Sequence, residues 1–475
     1  MKSIMRKKIN LLFTLLLVIV FTGCEEYLDI NDDPNNPTVA PIQGLLSNAT
    51  FETGNNMFRT GNITSYYVQY LASPNPGGAT DTHEPTSYGD AWFQLYDVMT
   101  DIADLEILAT EAGAANYLGV AQILKALNLG LTVDMWGEVP FSEAFFAQTL
   151  TPAYDDDAAL YQDVLQLLSD GISNLESGVT GVTMGDDDFI YGGDIDKWIK
   201  LGYTLQARYL NHLTKTGNYN PGDVLSAVDN GFESNEDDAS VTYFDIEINP
   251  WADEAIDNAN LLLGGWISEQ TVEALDGSIY GVEDPRMPYL FGPNDDGEFI
   301  GTENGAGRGD APEQGARSVL VEGEYYTSRT SPILISTYAE LKMIEAEAAF
   351  RNNNPDRAYE AYLEGIEAHM DMLGLSDDEK EGYLTDPAVA VGSGDLTIDD
   401  IFREKYVVMF LNPEAWADAR RYDYQYEDMT LPANHNPDLN GQFIRRLAYP
   451  DSEVTRNARS IPSGVTLATP IFWDE

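Results

Sequence analysis

Apolar side chains recur at steps of three and four residues along most of this chain, and that spacing commits it to a helical fold. Tyr161, Val164, Leu165, Leu168, Ile172 and Leu175 make one stripe. Trp198, Leu201, Leu205, Tyr209 and His212 make a second, behind Asp194, which the pattern predicts as an N-cap. Trp92, Leu95, Tyr96, Met99, Ile102 and Ala103 form a third; Leu118, Ala121, Leu124 and Ala126 to Leu131 lie on a fourth helix. Nearer the C-terminus, Thr337 to Arg351 and Asp356 to Leu373 read as two helices joined by Asn352-Asn353-Asn354-Pro355. Ala346, Ala348 and Ala349 let that pair approach closely. Ile401 to Leu411 and Glu414 to Arg421 supply two more helices.

Between about Ser234 and Pro332 the pattern breaks. Gly, Pro, Asn and Asp become frequent, and the stripe vanishes apart from a short Ser268 to Leu275 segment. Long irregular stretches in a folded protein are usually functional loops, so this reads as a loop region laid over a helical scaffold. The 475 residues are 43% hydrophobic, enough for a core, and no sharp linker divides them. One mainly α domain is expected.

Charge narrows the partners. Against 26 Lys and Arg stand 79 Asp and Glu, a formal net charge of −53, which repels nucleic-acid backbones and excludes that class of function. From Cys24 to Asp196 the only basic residues are Arg59 and Lys125, whereas Arg403, Lys405, Arg420, Arg421, Arg445, Arg446, Arg456 and Arg459 cluster near the end. The plain expectation for that cluster is pairing with carboxylates at the edge of the core.

The N-terminus sets an address. Lys2, Arg6, Lys7 and Lys8 precede an apolar run from Leu11 to Val20, then Phe21-Thr22-Gly23-Cys24. A basic start, a short apolar core and a small residue before the cut describe a secretory signal; the run is too short for a span of about 20 residues. Cys24, the only cysteine, stands at the expected cut, which resembles a bacterial lipobox: residues 1–23 are the signal peptide and Cys24 becomes the lipidated first residue. More than one acyl chain is needed for a firm anchor. Glu25-Glu26 resembles a surface-export signal, and Asn31 to Thr38 is a polar, turn-rich tether.

Catalytic motifs are missing. His83, His212, His369 and His435 are in no metal-ligand spacing, no Gly-x-Ser-x-Gly elbow appears, and the glycines from Gly301 to Gly309 lack the Lys-Ser/Thr of a phosphate loop. A glycosidase needs only two carboxylates, and no local motif selects a pair here. Asn294-Asp295-Asp296-Gly297-Glu298 offers oxygen ligands that would suit calcium at Asp295, Asp296 and Glu298, but the spacing is not that of an EF-hand, and a solvated acidic turn is the simpler reading. Otherwise no cofactor is expected.

Aromatic residues are the better lead, because sugars stack on rings while nearby amides bond their hydroxyls. Trp92, Trp198 and Trp416 lie on helical stripes, and Trp136 in a tight turn, as structural residues. Trp251 follows Asn249-Pro250 inside the irregular region, and Trp266 follows Gly264-Gly265 just before a helix. The segment from Ser73 through Asn75 and His83 to Tyr88 is polar and aromatic. Asn75, His83, Tyr88, Trp251 and Trp266 are therefore the candidate ligand-binding residues, with packing as the alternative for each.

The run from Cys24 to Thr38, Tyr88 with Trp92-Phe93-Gln94-Leu95-Tyr96, and Thr132-Val133-Asp134-Met135-Trp136-Gly137-Glu138-Val139-Pro140-Phe141 resemble the SusD/RagB family in order. Tyr191-Gly192-Gly193-Asp194 with Lys197-Trp198, Asp284-Pro285-Arg286, Ala339 to Ala349, Glu404-Lys405-Tyr406, Trp416 to Arg421 and Arg445 to Pro450 continue the likeness over nearly all of residues 24–475. One departure is Thr132, where the family usually carries an aromatic residue. The resemblance implies tetratricopeptide-like helix pairs forming a right-handed superhelical scaffold, capped by irregular loops with little β. It further implies an outer-surface, lipid-anchored protein that captures oligosaccharides, or in some members peptides, and closes over a SusC-like TonB-dependent transporter. The shared motifs are expected to hold the scaffold, not to touch ligand.

The expected function is thus glycan capture and delivery, without catalysis. Net charge favours a neutral glycan unless calcium or local arginines intervene. A peptide-binding lid, a pure assembly factor, and an all-α surface glycosidase or lyase are the alternatives.

Overall fold

The computed structural model describes residues 40–475 except 147–148, 179–180, 260–263 and 310–313. The signal segment 1–23, Cys24 and the tether Asn31 to Thr38 lie outside the described residues. Fifteen α-helices and four short strands are present among the described residues. None of these helices is long and apolar enough to cross a membrane.

The N-terminal helices are α1 (Ile42–Tyr67), α2 (Gly89–Ala112), α3 (Ala115–Trp136), α4 (Asp157–Glu176), α5 (Ile195–His212) and α6 (Pro221–Val228). From α2 to α6 each packs on its successor, and both α5 and α6 pack on the later helix α10 (Tyr338–Arg351). That helix pairs with α11 (Pro355–Leu373), and α12 (Asp377–Leu384), α13 (Ile398–Val408) and α14 (Glu414–Arg421) complete the row. Between α6 and α10 come α7 (Pro250–Ala259), α8 (Glu269–Leu275) and α9 (Met287–Leu290), and α15 (Asp451–Arg456) follows α14. The scaffold is therefore a succession of tetratricopeptide-like pairs, as the family resemblance implies, built from the helices the stripes predict.

Local chemistry explains the helix bounds. Asp156 caps α4 by accepting from Ala159 N, and Asp194 caps α5 by accepting from Asp196 N and Lys197 N. The predicted stripes Tyr161, Val164, Leu168, Ile172, Leu175 and Trp198, Leu201, Leu205, Tyr209 are buried. Where α3 crosses α4 the backbones touch: a Cβ on Gly119 would lie 2.7 Å from the Gly171 carbonyl oxygen, so this crossing admits only glycine. Thr337 caps α10 through Glu340 N, and Asn354 with Pro355 starts α11.

One long helix leaves no stripe in the sequence. The buried face of α1 is built from Thr50, Thr53, Asn56, Thr60, Thr64 and Ser65, whose side chains are bonded inside the protein. Asn56 Nδ2 donates to Asn128 Oδ1 at 3.0 Å, and Asn128 Nδ2 donates to Thr53 Oγ1 at 2.9 Å. A polar seam whose hydroxyls donate to carbonyls of their own helix, joined to the partner helix through Asn128, has no hydrophobic period to read.

Of the C-terminal cluster, Arg403, Lys405, Arg421, Arg445 and Arg446 pair with carboxylates as expected, whereas Arg420 donates to the Asp134 and Arg445 carbonyls. Arg421 spans both oxygens of Glu347 at 2.9 Å and reaches Asp418; Lys405 also binds Asp418, and Arg445 binds Asp474 at 2.6 Å. The Asp134-Met135-Trp136-Gly137 block is structural. Asp134 accepts from Tyr161 Oη and from Trp473 Nε1, Trp136 Nε1 donates to the Ala448 carbonyl, and Arg446 donates to the Trp136 carbonyl. It ties the end of α3 to the C-terminal segment.

The irregular region is more ordered than its composition suggests. Strand β1 (Leu71–Ala72) pairs antiparallel with β3 (Trp266–Ile267), and β2 (Ala239–Val241) with β4 (Ile333–Ser336). These four strands pin the loops to the scaffold.

Candidate functional site

Three loops meet on one carboxylate. Asp81, in the segment between β1 and α2, is buried and accepts from Ser73 N at 3.1 Å, Asn304 Nδ2 at 2.5 Å and Gly305 N at 2.6 Å. Burial pushes its carboxyl up to about 6 although those donors pull it back. The third loop joins through Ala433 N to the Asn304 carbonyl, Asn434 Nδ2 to the Gly305 carbonyl, and Asn436, whose N and Nδ2 donate to the Thr82 and His83 carbonyls. The approach is so close that a Cβ on Gly305, at φ 78°, would sit 1.8 Å from the Ala433 oxygen.

This arrangement places the sequence-predicted residues and corrects three of them. His83, Trp251 and Trp266 are core residues whose rings pack against other side chains or strands: their exposures are 0%, 3% and 2%. Trp251 belongs to the first turn of α7, a helix the Gly- and Asn-rich composition concealed, and it packs edge-on against Phe58 with ring centroids 4.8 Å apart. Trp266 pairs with Ala72 in the β1–β3 ladder. His83 lies among Tyr67, His435 and Phe443, and burial holds its imidazole neutral, down at about 3. Tyr88 is half-buried, with its hydroxyl shared between Tyr67 Oη and Thr80 Oγ1. Asn75 alone of the five is exposed.

A cleft of about 510 Å³ opens between the C-terminal end of α7, the turn at Pro293-Asn294-Asp295 and the segment Gly315 to Glu322. That is within the usual range of ligand sites. Its wall carries Asn258, which is 1% exposed and whose Nδ2 and Oδ1 both lack a hydrogen-bond partner. Each polar group buried in that state costs about 1–3 kcal/mol. Arg317, half-buried in the same wall, has an unpartnered Nε. By contrast, a hollow of about 390 Å³ lined by Leu439, Leu447, Ala448, Ile461, Val465 and Leu467 is walled mainly by aliphatic side chains, and its Asn436 is fully engaged.

A primary amide presents one donor and one acceptor side by side. In Asn258 both stand unbonded in the wall of the cleft. Nothing in the sequence marks Asn258, because the groups that bury it come from chain segments 35 and more residues away.

The acidic turn is not a calcium cage. Asn294 Oδ1 is spent on the turn itself, accepting from Asp296 N and Glu298 N. No group of three or more His, Cys, Asp or Glu side chains able to hold a metal occurs among the described residues.

A family profile, SusD-like_2, starch-binding associating with outer membrane, matches residues 34–450. The chain belongs to the SusD-like family. No curated protein sequence matches it. Among solved structures, this SusD-like chain superposes on a SusD/RagB family protein from Bacteroides thetaiotaomicron with a TM-score of 0.75 at 22% identity, over 92% of this chain and 99% of that one. A SusD homolog from Parabacteroides distasonis gives 0.79 at 18% identity, over 92% and 98%. A chitin-binding SusD homolog from Flavobacterium johnsoniae gives 0.75 at 20% identity, over 91% and 98%. At these identities the likeness establishes a shared fold.

Proposed function

We propose that this SusD-like protein is a lipid-anchored surface receptor that captures oligosaccharides in the cleft bounded by α7 and passes them to a TonB-dependent outer-membrane transporter. The observation that carries the reading is Asn258, a buried amide with both poles open in a cleft of ligand size. Family membership supports glycan as the cargo and the outer membrane as the place. The Lys2 to Cys24 segment supports anchoring through Cys24. The protein acts as a passive catcher, and cleavage and import belong to other components.

Calorimetry or affinity electrophoresis against a panel of glycans and peptides tests this. Wild-type protein is expected to bind at least one oligosaccharide, and Asn258→Ala to lose about ten-fold in affinity with unchanged thermal stability. Binding to peptides only would replace glycan by peptide, and binding to nothing would remove the receptor role. Release of reducing ends by the purified protein would make it an enzyme, with Asp295 and Glu322, the carboxylates of the cleft, as the first residues to replace. Cys24→Ser is expected to leave the protein in the soluble fraction.

A further inference from the structure

Building on the glycan reading of the cleft, we propose that its ligand carries a carboxylate: a uronic acid residue, bound by Arg317 through the acid group and by Asn258 through neighbouring hydroxyls. The overall charge of −53 favours a neutral sugar at long range, but the contact region holds a cation that this charge has not neutralised. Arg317 Nε is buried with no acceptor, and its Nη1 reaches only the Ala316 carbonyl, at 3.5 Å. No carboxylate pairs with it among the described residues. Arginines of the scaffold are treated differently: Arg208 spans Glu340, Arg286 meets Asp284 and Glu404, and Arg421 meets Glu347 and Asp418. Buried Arg420 also lacks a carboxylate among the described residues, but it donates to the Asp134 and Arg445 carbonyls. Arg317, with a bare Nε in a cleft wall and about three acids for every base in the chain, is left to an external anion.

The neighbours of Arg317 leave it available. Glu322, on the same wall, is bound by Arg329 at 2.6 Å, and Asp295 is exposed to water. A planar guanidinium matches a planar carboxylate through two parallel hydrogen bonds. A pyranuronic acid bears its carboxylate at C5 and adjacent hydroxyls at C2 and C3, the acid matching the chemistry of Arg317 and the diol that of Asn258 in the same cleft. Short chains suit the site best, since a long polyanion meets the repulsion of the whole body.

The test is calorimetry on the full-length protein in detergent. Its probes are trisaccharides of galacturonate, glucuronate and mannuronate, each beside its carboxyl-reduced neutral counterpart. Wild type is expected to bind one uronate at least ten-fold more tightly than its reduced partner. Arg317→Gln should bring the two within about two-fold by weakening only the acid form; Arg317→Lys should keep part of the preference; Asn258→Ala should weaken both. Equal wild-type affinity for acid and neutral forms, or an equal loss on both with Arg317→Gln, overturns the uronate assignment and leaves glycan capture standing. Binding of a neutral glycan by a protein that ignores all three uronates does the same. Failure to bind any glycan removes the receptor reading itself. Equal melting temperatures for wild type and Arg317→Gln exclude a folding defect.

Discussion

In the scaffold, Arg421 meets both oxygens of Glu347 and one of Asp418, and Arg208 meets both oxygens of Glu340, all of them nearly or wholly shut off from water. In the cap of loops, Asn258 is buried as deeply and bonds to nothing, and His83 keeps both ring nitrogens without a partner. Two regions of one chain thus follow different rules. Where helices pack, burial of a polar group is offset by a partner from another helix, and the pair fixes the packing. In the cap some polar groups remain unbonded, and on the proposed reading those at the cleft meet a ligand. An amide with neither pole bonded, not exposed aromatic surface, marks the candidate site; the scaffold's unpartnered buried atoms, such as Asp134 Oδ2, Arg208 Nη1 and Arg421 Nε, belong to side chains that bond through their other atoms.

The largest effect expected from breaking this contrast is Arg421→Met, which leaves Glu347 and Asp418 buried without their cation. A loss of about 3–5 kcal/mol in urea unfolding is expected. A loss below about 1 kcal/mol would mean that the scaffold pairs are as dispensable as surface ones. Trp251→Ala sharpens the contrast within α7, whose first turn is core and whose end lines the cleft. It should cost about 3 kcal/mol of stability through the cavity beside Phe58; a pure loss of glycan affinity at unchanged stability would return Trp251 to the binding face.

Asn258→Ala is expected to behave in the opposite way. Removing an amide without partners leaves stability unchanged or raises it by about 1 kcal/mol. A marked destabilisation would show that Asn258 is a structural residue.

The mildest expectation is a pair of opposed pH slopes. Burial pushes the Asp238 carboxyl up to about 7 and that of Asp81 up to about 6. Both groups bind a proton more readily folded than unfolded, where carboxylates titrate near ~4. They add stability as pH falls from about 7 toward ~4, and this small rise should flatten in Asp81→Asn and Asp238→Asn. Glu414 differs: burial pushes its carboxyl up, but Arg208 and His212 outweigh burial and bring it to about 2. Burial likewise raises the Glu347 carboxyl, and Arg421 and Arg351 outweigh it, holding the group below the usual range. Their contribution is present above ~4 and is lost as pH falls further. Melting temperature followed across the acid range reads both slopes.

Much of the scaffold is legible in the order of residues. The stripes of α2 to α5, the Asp194 cap, the α10–α11 hairpin and the pairing of the late arginines are all written as residue types at fixed local spacings. The polar seam of α1 is not, since Thr53, Asn56 and Asn128 reveal their complementarity only when two helices about 70 residues apart lie side by side. The candidate site is least legible. Asn75 and Tyr88 fall in one of the three converging loops, yet His83, Trp251 and Trp266 turn inward, because rings in an irregular segment are as useful to a small loop core as to a sugar.

Sequence alone determined the helical class, the bounds of the α10–α11 hairpin and of α14, and the family, because these depend on neighbours within a turn or on motifs preserved as contiguous runs. Tertiary structure decided which polar groups are left unpaired. Burial of Asn258 and Arg317 requires α7, the turn at Asn294 and the segment from Gly315 to Glu322 to converge, and such convergence is set by packing between segments distant in the chain, which no local pattern of residues encodes.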